Sequence, residues 1–394
     1  MISDVYFPRV NGVSTSISVF RRALAALDHE ITLLAPDYPN TAPERGVERV
    51  PSRYLFFDPE DRLIRPRALR QAYERLSDKH FDLVHIQTPF VAHYVGLRLA
   101  RQLGIPVIET YHTFFEEYLY CYVKWLPRGW LRSTARTLTR RQCNALDGVV
   151  VPSAAMFDTL SRYGVQCEMK VLPTGIELDN FARGDGEAFR RQHGIDPVRP
   201  TLLYVGRVAF EKNIGFLIDV LERVRQKHPG VLLLIAGEGP AETHLRRLVD
   251  ARGLGDNIRF VGYLSRDGAL QDCYLAGDIF VFASRTETQG LVLLEAMAMG
   301  RPVVSTAEMG TREILRPEAG ALVAEEDTDA FAAKVVQLLD DPALRERLGS
   351  IARTYAASWS ADRLAREMAG HYAHVVATHG SGAPGQRPLS RFHH

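Results

Sequence analysis

Short β-branched runs of strand length alternate with helix-patterned stretches along almost the whole chain, and this alternation narrows the fold more than any other feature. In the first half the runs are ITLLAP (31–36), FDLVHIQ (81–87), PVIETYH (106–112), GVVVP (148–152) and MKVLPTG (169–175). In the second half they are TLLYVG (201–206), VLLLIAG (231–237), IRFVGY (258–263), IFVFAS (279–284) and PVVST (302–306). Runs of this kind belong to strands buried on both faces, in parallel sheets covered by helices. Two successive sets predict an α/β chain of two doubly wound, Rossmann-like domains. The linker falls at about 175–200, in the polar, Gly- and Pro-containing stretch GIELDNFARGDGEAFRRQHGIDPVRP. Ligands of open α/β sheets bind beyond the carboxyl ends of the strands, so two facing domains predict a central cleft.

The chain has 394 residues, enough for two or three domains, and its 46% apolar content can fill two cores. A net charge of +1 excludes a global electrostatic attraction to nucleic acid. Cys121, Cys143, Cys167 and Cys273 form no C-x-x-C pair, which argues against a zinc site or a disulfide framework and fits a reducing compartment. The sequence has no apolar run of about 18 residues and no signal-peptide pattern, so the expected location is cytoplasmic. Residues 379–394, HGSGAPGQRPLSRFHH, read as a disordered tail. Only Met1 and Ile2 precede Ser3 and Asp4 where a buried first strand belongs, so the natural start is expected a few residues upstream.

Residues 279–304, IFVFASRTETQGLVLLEAMAMGRPVV, read as a buried strand, a polar loop and a helix. A helix opening at Gly290 would present unpaired backbone N–H groups to a phosphate, and a glycine there lets the anion approach closely. Glu287 and Glu295 flank that junction. Carboxylates cannot hold a phosphate and are free for sugar hydroxyls, so the arrangement suits a nucleotide-sugar. The plainer reading is one loop acid and one surface helix acid. Arg207 and Lys212 flank the loop after TLLYVG, where a planar fork and a point charge could neutralise a diphosphate; solvated loop charges are the alternative. In the first loop, Gly12 suits a tight turn and Ser14 a helix N-cap, with a plain strand–helix connection as the alternative. Neither this loop nor Gly237-Glu238-Gly239-Pro240 is a G-x-G-x-x-G fingerprint, which counts against a dinucleotide enzyme.

Four segments in order carry a family resemblance: FPRVNGVSTS (7–16), TYHTFFEEY (110–118), LYVGRVAFEK (203–212) and the Glu287/Glu295 pair. They resemble the donor-side glycine loop, the histidine segment, the Arg/Lys phosphate clamp and the paired glutamates of the retaining GT-B glycosyltransferases of family GT4, notably bacterial glycolipid mannosyl- and glucosyltransferases. The resemblance covers roughly residues 1–360. It implies an acceptor-binding domain over 1–180 and a nucleotide-sugar-binding domain over 181–378, with a helix at about 360–378 crossing back to the first. It also implies hexosyl transfer, of mannose or glucose, from a GDP- or UDP-sugar to an acceptor hydroxyl. No obligatory cofactor or metal is implied.

By the same resemblance, His112, Arg207, Lys212 and Glu287 are the catalytic set. His112 contacts the transferred sugar through its backbone or ring, and Glu287 holds the sugar hydroxyls. Gly12, Gly290, Leu291 and Val292 approach the diphosphate, and Glu295 takes the ribose. The nucleobase is expected near Gly237–Gly239 and Gly262–Tyr263. His85 reads as a core or supporting histidine.

The segment 114–141, FFEEYLYCYVKWLPRGWLRSTARTLTRR, is different in kind. Pro127 can open a helix, and Arg128, Arg132, Arg136 and Arg140 then stripe one face. With Trp125 and Trp130 beside the stripe, two readings stand: contact with an anionic membrane surface, or a solvated face with aromatics lining an acceptor pocket. The resemblance favours a lipid or lipid-linked glycan acceptor and a peripheral position on the inner face of the cytoplasmic membrane. Two rival activities are a GT-B nucleotide-sugar 2-epimerase and a catalytically silent nucleotide-sugar-binding protein.

Overall fold

A computed structural model describes residues 1–380 except 10, 40, 56–57, 65, 78 and 113–127. The predicted tail beyond 380 and the aromatic part of the 114–127 segment, Trp125 included, lie outside the described residues.

The strands are β1 Leu33–Pro36, β2 Val47–Val50, β3 Ser52–Leu55, β4 Asp58–Ile64, β5 Val84–Ile86, β6 Val107–Thr110, β7 Gly148–Val151, β8 Glu168–Val171, β9 Thr201–Val205, β10 Leu232–Ala236, β11 Ile258–Gly262, β12 Ile279–Phe282, β13 Val303–Ser305 and β14 Ala321–Val323. Every apolar run holds one of them. In the first half β5-β6-β7-β8 form a parallel sheet and β1-β2 a parallel pair. Ile2 bridges Leu34 on one side and Ile86 on the other, which joins the two into one surface. β8 departs from expectation: Glu168, Lys170 and Val171 are exposed, so it is a sheet edge rather than a strand covered on both faces. An antiparallel hairpin, β3–β4, is an addition that the apolar pattern did not announce.

In the second half all six strands are parallel in the order β11-β10-β9-β12-β13-β14. Numbered within this half, that is 3-2-1-4-5-6, the doubly wound order whose switch point lies between β9 and β12. Leu202, Leu203, Tyr204, Leu233, Leu234, Phe280 and Phe282 fill its core.

Helix α1, Gly12–Ala25, begins where the Asn11 side chain accepts from the Ser14 N–H at 2.8 Å. Asn11, not Ser14, is therefore the cap; Ser14 sits inside the first turn. The helix Ala361–Thr378 packs against α1: Leu364, Met368 and Val375 share one buried cluster with Val19, Phe20, Leu24, Ile108 and Val150. At roughly 1.5–3 kcal/mol per fully buried apolar side chain, these contacts outweigh its exposed His374–Glu168 pair, which is worth at most about 1 kcal/mol. Two chain segments therefore run between the sheets, and they touch. The Ile176 N–H donates to the Trp359 carbonyl and the Ala361 N–H to the Ile176 carbonyl, both at 2.9 Å. Gly175 permits this approach, since a Cβ there would lie 2.6 Å from Ala361 Cα.

Candidate active site

The loops leaving β9 and β12 flank the switch point of the second sheet. The β9 loop carries Arg207 and ends in a short 3-10 turn, Phe210–Lys212, after which Asn213 takes a left-handed φ of 57°. Tyr204 Oη donates to the Arg207 carbonyl at 3.0 Å, which ties this loop to its strand. The β12 loop carries Glu287. Lys212 Nζ and Glu287 Oε1 form an ion pair, with side chains only 19% and 18% exposed. The cation expected on the diphosphate and the carboxylate expected on the sugar thus meet directly.

Gly290 is the N-cap of the helix Leu291–Ala298 at φ 98°, a conformation that favours glycine. A Cβ there would also meet Thr311 Cγ2 at 3.1 Å. Leu291 and Val292 lie in the first turn, where helix geometry supplies no partner for the N–H groups. Further along, Glu295 is buried, and both its oxygens are engaged. Arg266 pairs with Oε1, and Tyr274 Oη donates to Oε2 at 2.8 Å. An ionised carboxylate has about four lone-pair sites, so Glu295 keeps capacity for a further donor. Neither Arg266 nor Tyr274 was singled out from sequence. The only hint was the position of Arg266 just past Tyr263 at the end of β11.

The glycines divide by role. Gly237 (φ 131°) donates its N–H to the Gly262 carbonyl at 2.8 Å, and a Cβ on it would fall 1.9 Å from the Gly206 carbonyl oxygen. It is required by strand-end packing. A Cβ on Gly12, by contrast, would meet no described atom within 4 Å. Tyr263 is 51% exposed at the rim. A cavity of ≈ 630 Å³ opens between the halves, lined by Phe7, Thr15 and Arg22 on one side and by Tyr263, Arg266 and Glu295 on the other.

On the first sheet, His112 follows β6. Its Nε2 lies 3.0 Å from Gln87 Oε1, its backbone N–H is given to the Thr110 carbonyl at 3.1 Å, and its carbonyl accepts from Thr288 Oγ1 at 3.1 Å. The backbone N–H and ring Nε2 are therefore engaged, while the carbonyl keeps a second lone pair and the ring keeps Nδ1 to meet a ligand. Desolvation pushes the imidazole down to about 4, so the ring is neutral near pH 7. With Gln87 Oε1 as acceptor, the proton sits on Nε2 and Nδ1 carries the lone pair. His85 is tied at both nitrogens, to Tyr372 Oη and Thr110 Oγ1, each at 2.7 Å, and burial holds it well below the usual histidine range. Asp4 accepts from Thr88 Oγ1 at 2.7 Å and from the Ala92 N–H at 3.0 Å, capping the helix Val91–Leu103; burial pushes its carboxyl up to about 6.

The helix Arg128–Cys143 starts directly after Pro127. Arg136 stacks over the Tyr163 ring at 5.2 Å, and Arg140 is exposed. The side chains of Arg128, Trp130 and Arg132 lie outside the described set. Among the described residues no helix is long and apolar enough to cross a membrane, and no group of three or more His, Cys, Asp or Glu could hold a metal ion.

Residues 10–180 match the family model described as Glycosyltransferase Family 4, and residues 185–355 match the one described as Glycosyl transferases group 1. The alpha-monoglucosyldiacylglycerol synthase of Streptococcus pneumoniae is 35% identical over 315 residues, covering 77% of this chain and 70% of that protein. The GDP-mannose-dependent alpha-mannosyltransferase of Mycolicibacterium smegmatis is 27% identical over 385 residues, covering 95% and 97%. Among solved structures, the sucrose-phosphate synthase of Thermosynechococcus elongatus superposes with a TM-score of 0.77 at 23% identity, covering 94% of each chain. The last shows the fold alone, two facing α/β domains of GT-B type.

Proposed function

This chain belongs to glycosyltransferase family 4, and from that premise we propose that it moves a hexose, with retention at the anomeric carbon, from a GDP- or UDP-hexose to a hydroxyl of a membrane lipid or lipid-linked glycan. The chain is a hexosyltransferase. What carries the finer reading is the Lys212–Glu287 pair beside the Gly290 helix end, on the two loops that flank the switch point of the second sheet.

In this reading residues 1–180 hold the acceptor and 181–378 the donor. Arg207, Lys212 and the first-turn N–H groups of Leu291 and Val292 take up the charge that grows on the diphosphate as the glycosidic bond breaks. Glu287 holds the sugar hydroxyls and orients Lys212. Glu295 takes the ribose, Gly12 faces the diphosphate from the other lobe, and the nucleobase lies against Gly237–Gly239 and Gly262–Tyr263. The neutral His112 ring meets the transferred sugar. No side-chain nucleophile is assigned. The acceptor oxygen bonds to the anomeric carbon on the face that the phosphate leaves, and its proton passes to that phosphate.

A lipid acceptor draws support from the relative named for a glucosyldiacylglycerol product and from the arginine stripe on the helix Arg128–Cys143. With Trp125 and Trp130, that stripe would sit peripherally on the inner, anionic face of the membrane. One relative described above is named a mannosyltransferase and the other a synthase of a glucosyl lipid, which favours transfer over epimerisation or silent binding.

The test is nucleotide release from a panel of GDP- and UDP-hexoses, with and without membrane lipid extract, and mass spectrometry of the products. Lipid-dependent release with a new glycolipid is expected. Conversion of the free donor to its epimer without any acceptor would overturn the proposal.

A further inference from the structure

The side chains of Glu287, Thr288 and Gln289, which lead up to Gly290, are fastened to three different places. The Glu287 side chain pairs with Lys212, and the Thr288 hydroxyl donates to the His112 carbonyl. Gln289 is 6% exposed, and its amide closes a reciprocal pair with one residue of the first half. The Thr174 N–H donates to Gln289 Oε1 at 2.8 Å, and Gln289 Nε2 donates to the Thr174 carbonyl at 2.7 Å. Gly290 then opens the helix. Thr174, itself 4% exposed, passes the connection on: its hydroxyl lies 2.6 Å from Ser16 Oγ, on α1, two turns or less from Gly12.

A primary amide matches this task chemically. It is neutral, and it both accepts from and donates to the same residue's backbone, as a neighbouring β-strand would. A carboxylate could accept the Thr174 N–H but would set a bare oxygen against the Thr174 carbonyl. An apolar side chain would leave two buried backbone groups unpaired.

We propose that Gln289 is a positioning residue for glycosyl transfer. Its amide fixes the Glu287–Gly290 loop of the second lobe in register with α1 and Gly12 of the first. This rests on the transferase reading given above and adds to it which residue sets the spacing between the lobes. Gln289 does not touch the reacting atoms. It acts through Thr174 and Gly290, so its loss should displace two otherwise intact half-sites.

The experiment compares Gln289→Met and Gln289→Glu with the wild-type protein, well below the melting temperature of each variant. It measures three things: Kd for GDP and UDP, kcat for transfer, and the ratio of variant to wild-type kcat between pH 5.5 and pH 8. Gln289→Met should keep nucleotide Kd within about threefold and lose roughly ten- to a hundredfold in kcat, the scale of an ångström-sized misplacement. Gln289→Glu should lose as much at pH 8 and recover relative to wild type at pH 5.5. A protonated carboxyl offers one donor and one acceptor again, and the ionised form does not. A folded Gln289→Met with wild-type kcat would overturn the proposal, as would a Kd that weakens in step with kcat. So would a Gln289→Glu ratio that is flat with pH, and this arm decides alone if the methionine variant does not fold. Absence of transfer by the wild-type protein in the same assay would instead sink the functional reading.

Discussion

Thr288, on the loop that leaves β12, donates its hydroxyl to the backbone carbonyl of His112, at the end of β6, over 3.1 Å. A residue next to Glu287 thereby holds in place the histidine of the opposite sheet. The catalytic candidates of the two lobes are joined by a protein contact, not merely directed at a common space.

Removing the charge that faces Lys212 should affect the reaction more than ground-state binding. Glu287→Gln is expected to leave GDP or UDP affinity within a few-fold. Glu287→Ala should lower kcat by at least about a hundredfold, the scale of losing one preorganised electrostatic contact. A nucleotide titration checks the first and steady-state nucleotide release the second; unchanged release by the alanine variant would remove Glu287 from the catalytic set.

The Glu295 cluster should register in stability. Tyr274→Phe leaves one oxygen of a buried carboxylate without its hydroxyl donor and should cost about 1–3 kcal/mol in urea unfolding. Arg266→Ala leaves the charge itself unpaired. Arg266 keeps a side-chain exposure of 31%, so water can enter, and the expected loss is about 3 kcal/mol, the low end for breaking a buried pair. A tyrosine variant as stable as wild type would mean that the hydroxyl contact contributes nothing.

Two glycine substitutions should behave in opposite ways. Gly237→Ala places a methyl group against the Gly206 carbonyl at a positive φ and should cost at least about 3 kcal/mol. Gly12→Ala enters open space and should stay within about 0.5 kcal/mol of wild type in stability. It should nonetheless raise the donor KM if the diphosphate comes as close as proposed. Thermal melts paired with donor titrations distinguish the cases.

Acid should destabilise the protein through its neutral histidines. His112 has its folded pKa near 4 and His85 lies well below 6.5, so between those values the unfolded chain binds protons that the folded one refuses. Their contribution is complete above pH 6.5 and is lost as pH falls toward 4. Asp4 opposes them, because its raised carboxyl takes a proton in the folded state from about 6 downward and in the unfolded state only near 3.8. His193, His371 and the Met1 amino group are held low by burial and act in the same sense as His112 and His85, while the raised Glu177 carboxyl sides with Asp4; the balance predicts a lower Tm at pH 5 than at pH 7. Asp4→Asn should enlarge that drop, and a smaller drop in this variant would show the sign to be wrong.

For the membrane reading, replacing Arg128, Arg132, Arg136 and Arg140 with Gln should abolish sedimentation with anionic vesicles at low salt. The Arg136 contact with Tyr163 predicts a small loss of stability as well, about 1 kcal/mol. Sedimentation unchanged from wild type would leave that helix as a solvated face.

The strands were legible where burial on both faces leaves no room for polar residues, as in LLLIA of β10 or IFVF of β12. β2 was not, because only Val47 and Val50 of its VERV sequence are apolar, and in the β3–β4 hairpin Asp58, Glu60, Asp61 and Arg62 interrupt the apolar residues. The placement of Lys212 and Glu287 followed from counting strands and reading what stands at their carboxyl ends. Their direct pairing did not follow, nor did the grip of Arg266 and Tyr274 on Glu295 or of Gln289 on Thr174. Those are contacts between segments far apart in sequence, and no local pattern encodes them. Gly237 and Gly12 looked alike as donor-site glycines; only the three-dimensional neighbours show that one is required by backbone packing and the other leaves a space.

The two segments that run between the sheets near Ile176 and Ser360 are bonded side by side. A single thread would let one lobe swivel, slide and tilt against the other. A two-ply strap bends readily across its width but resists twist and sideways slip, because either motion would shear its cross-links. It therefore reduces the relative motion of the lobes toward that of a door on one pin.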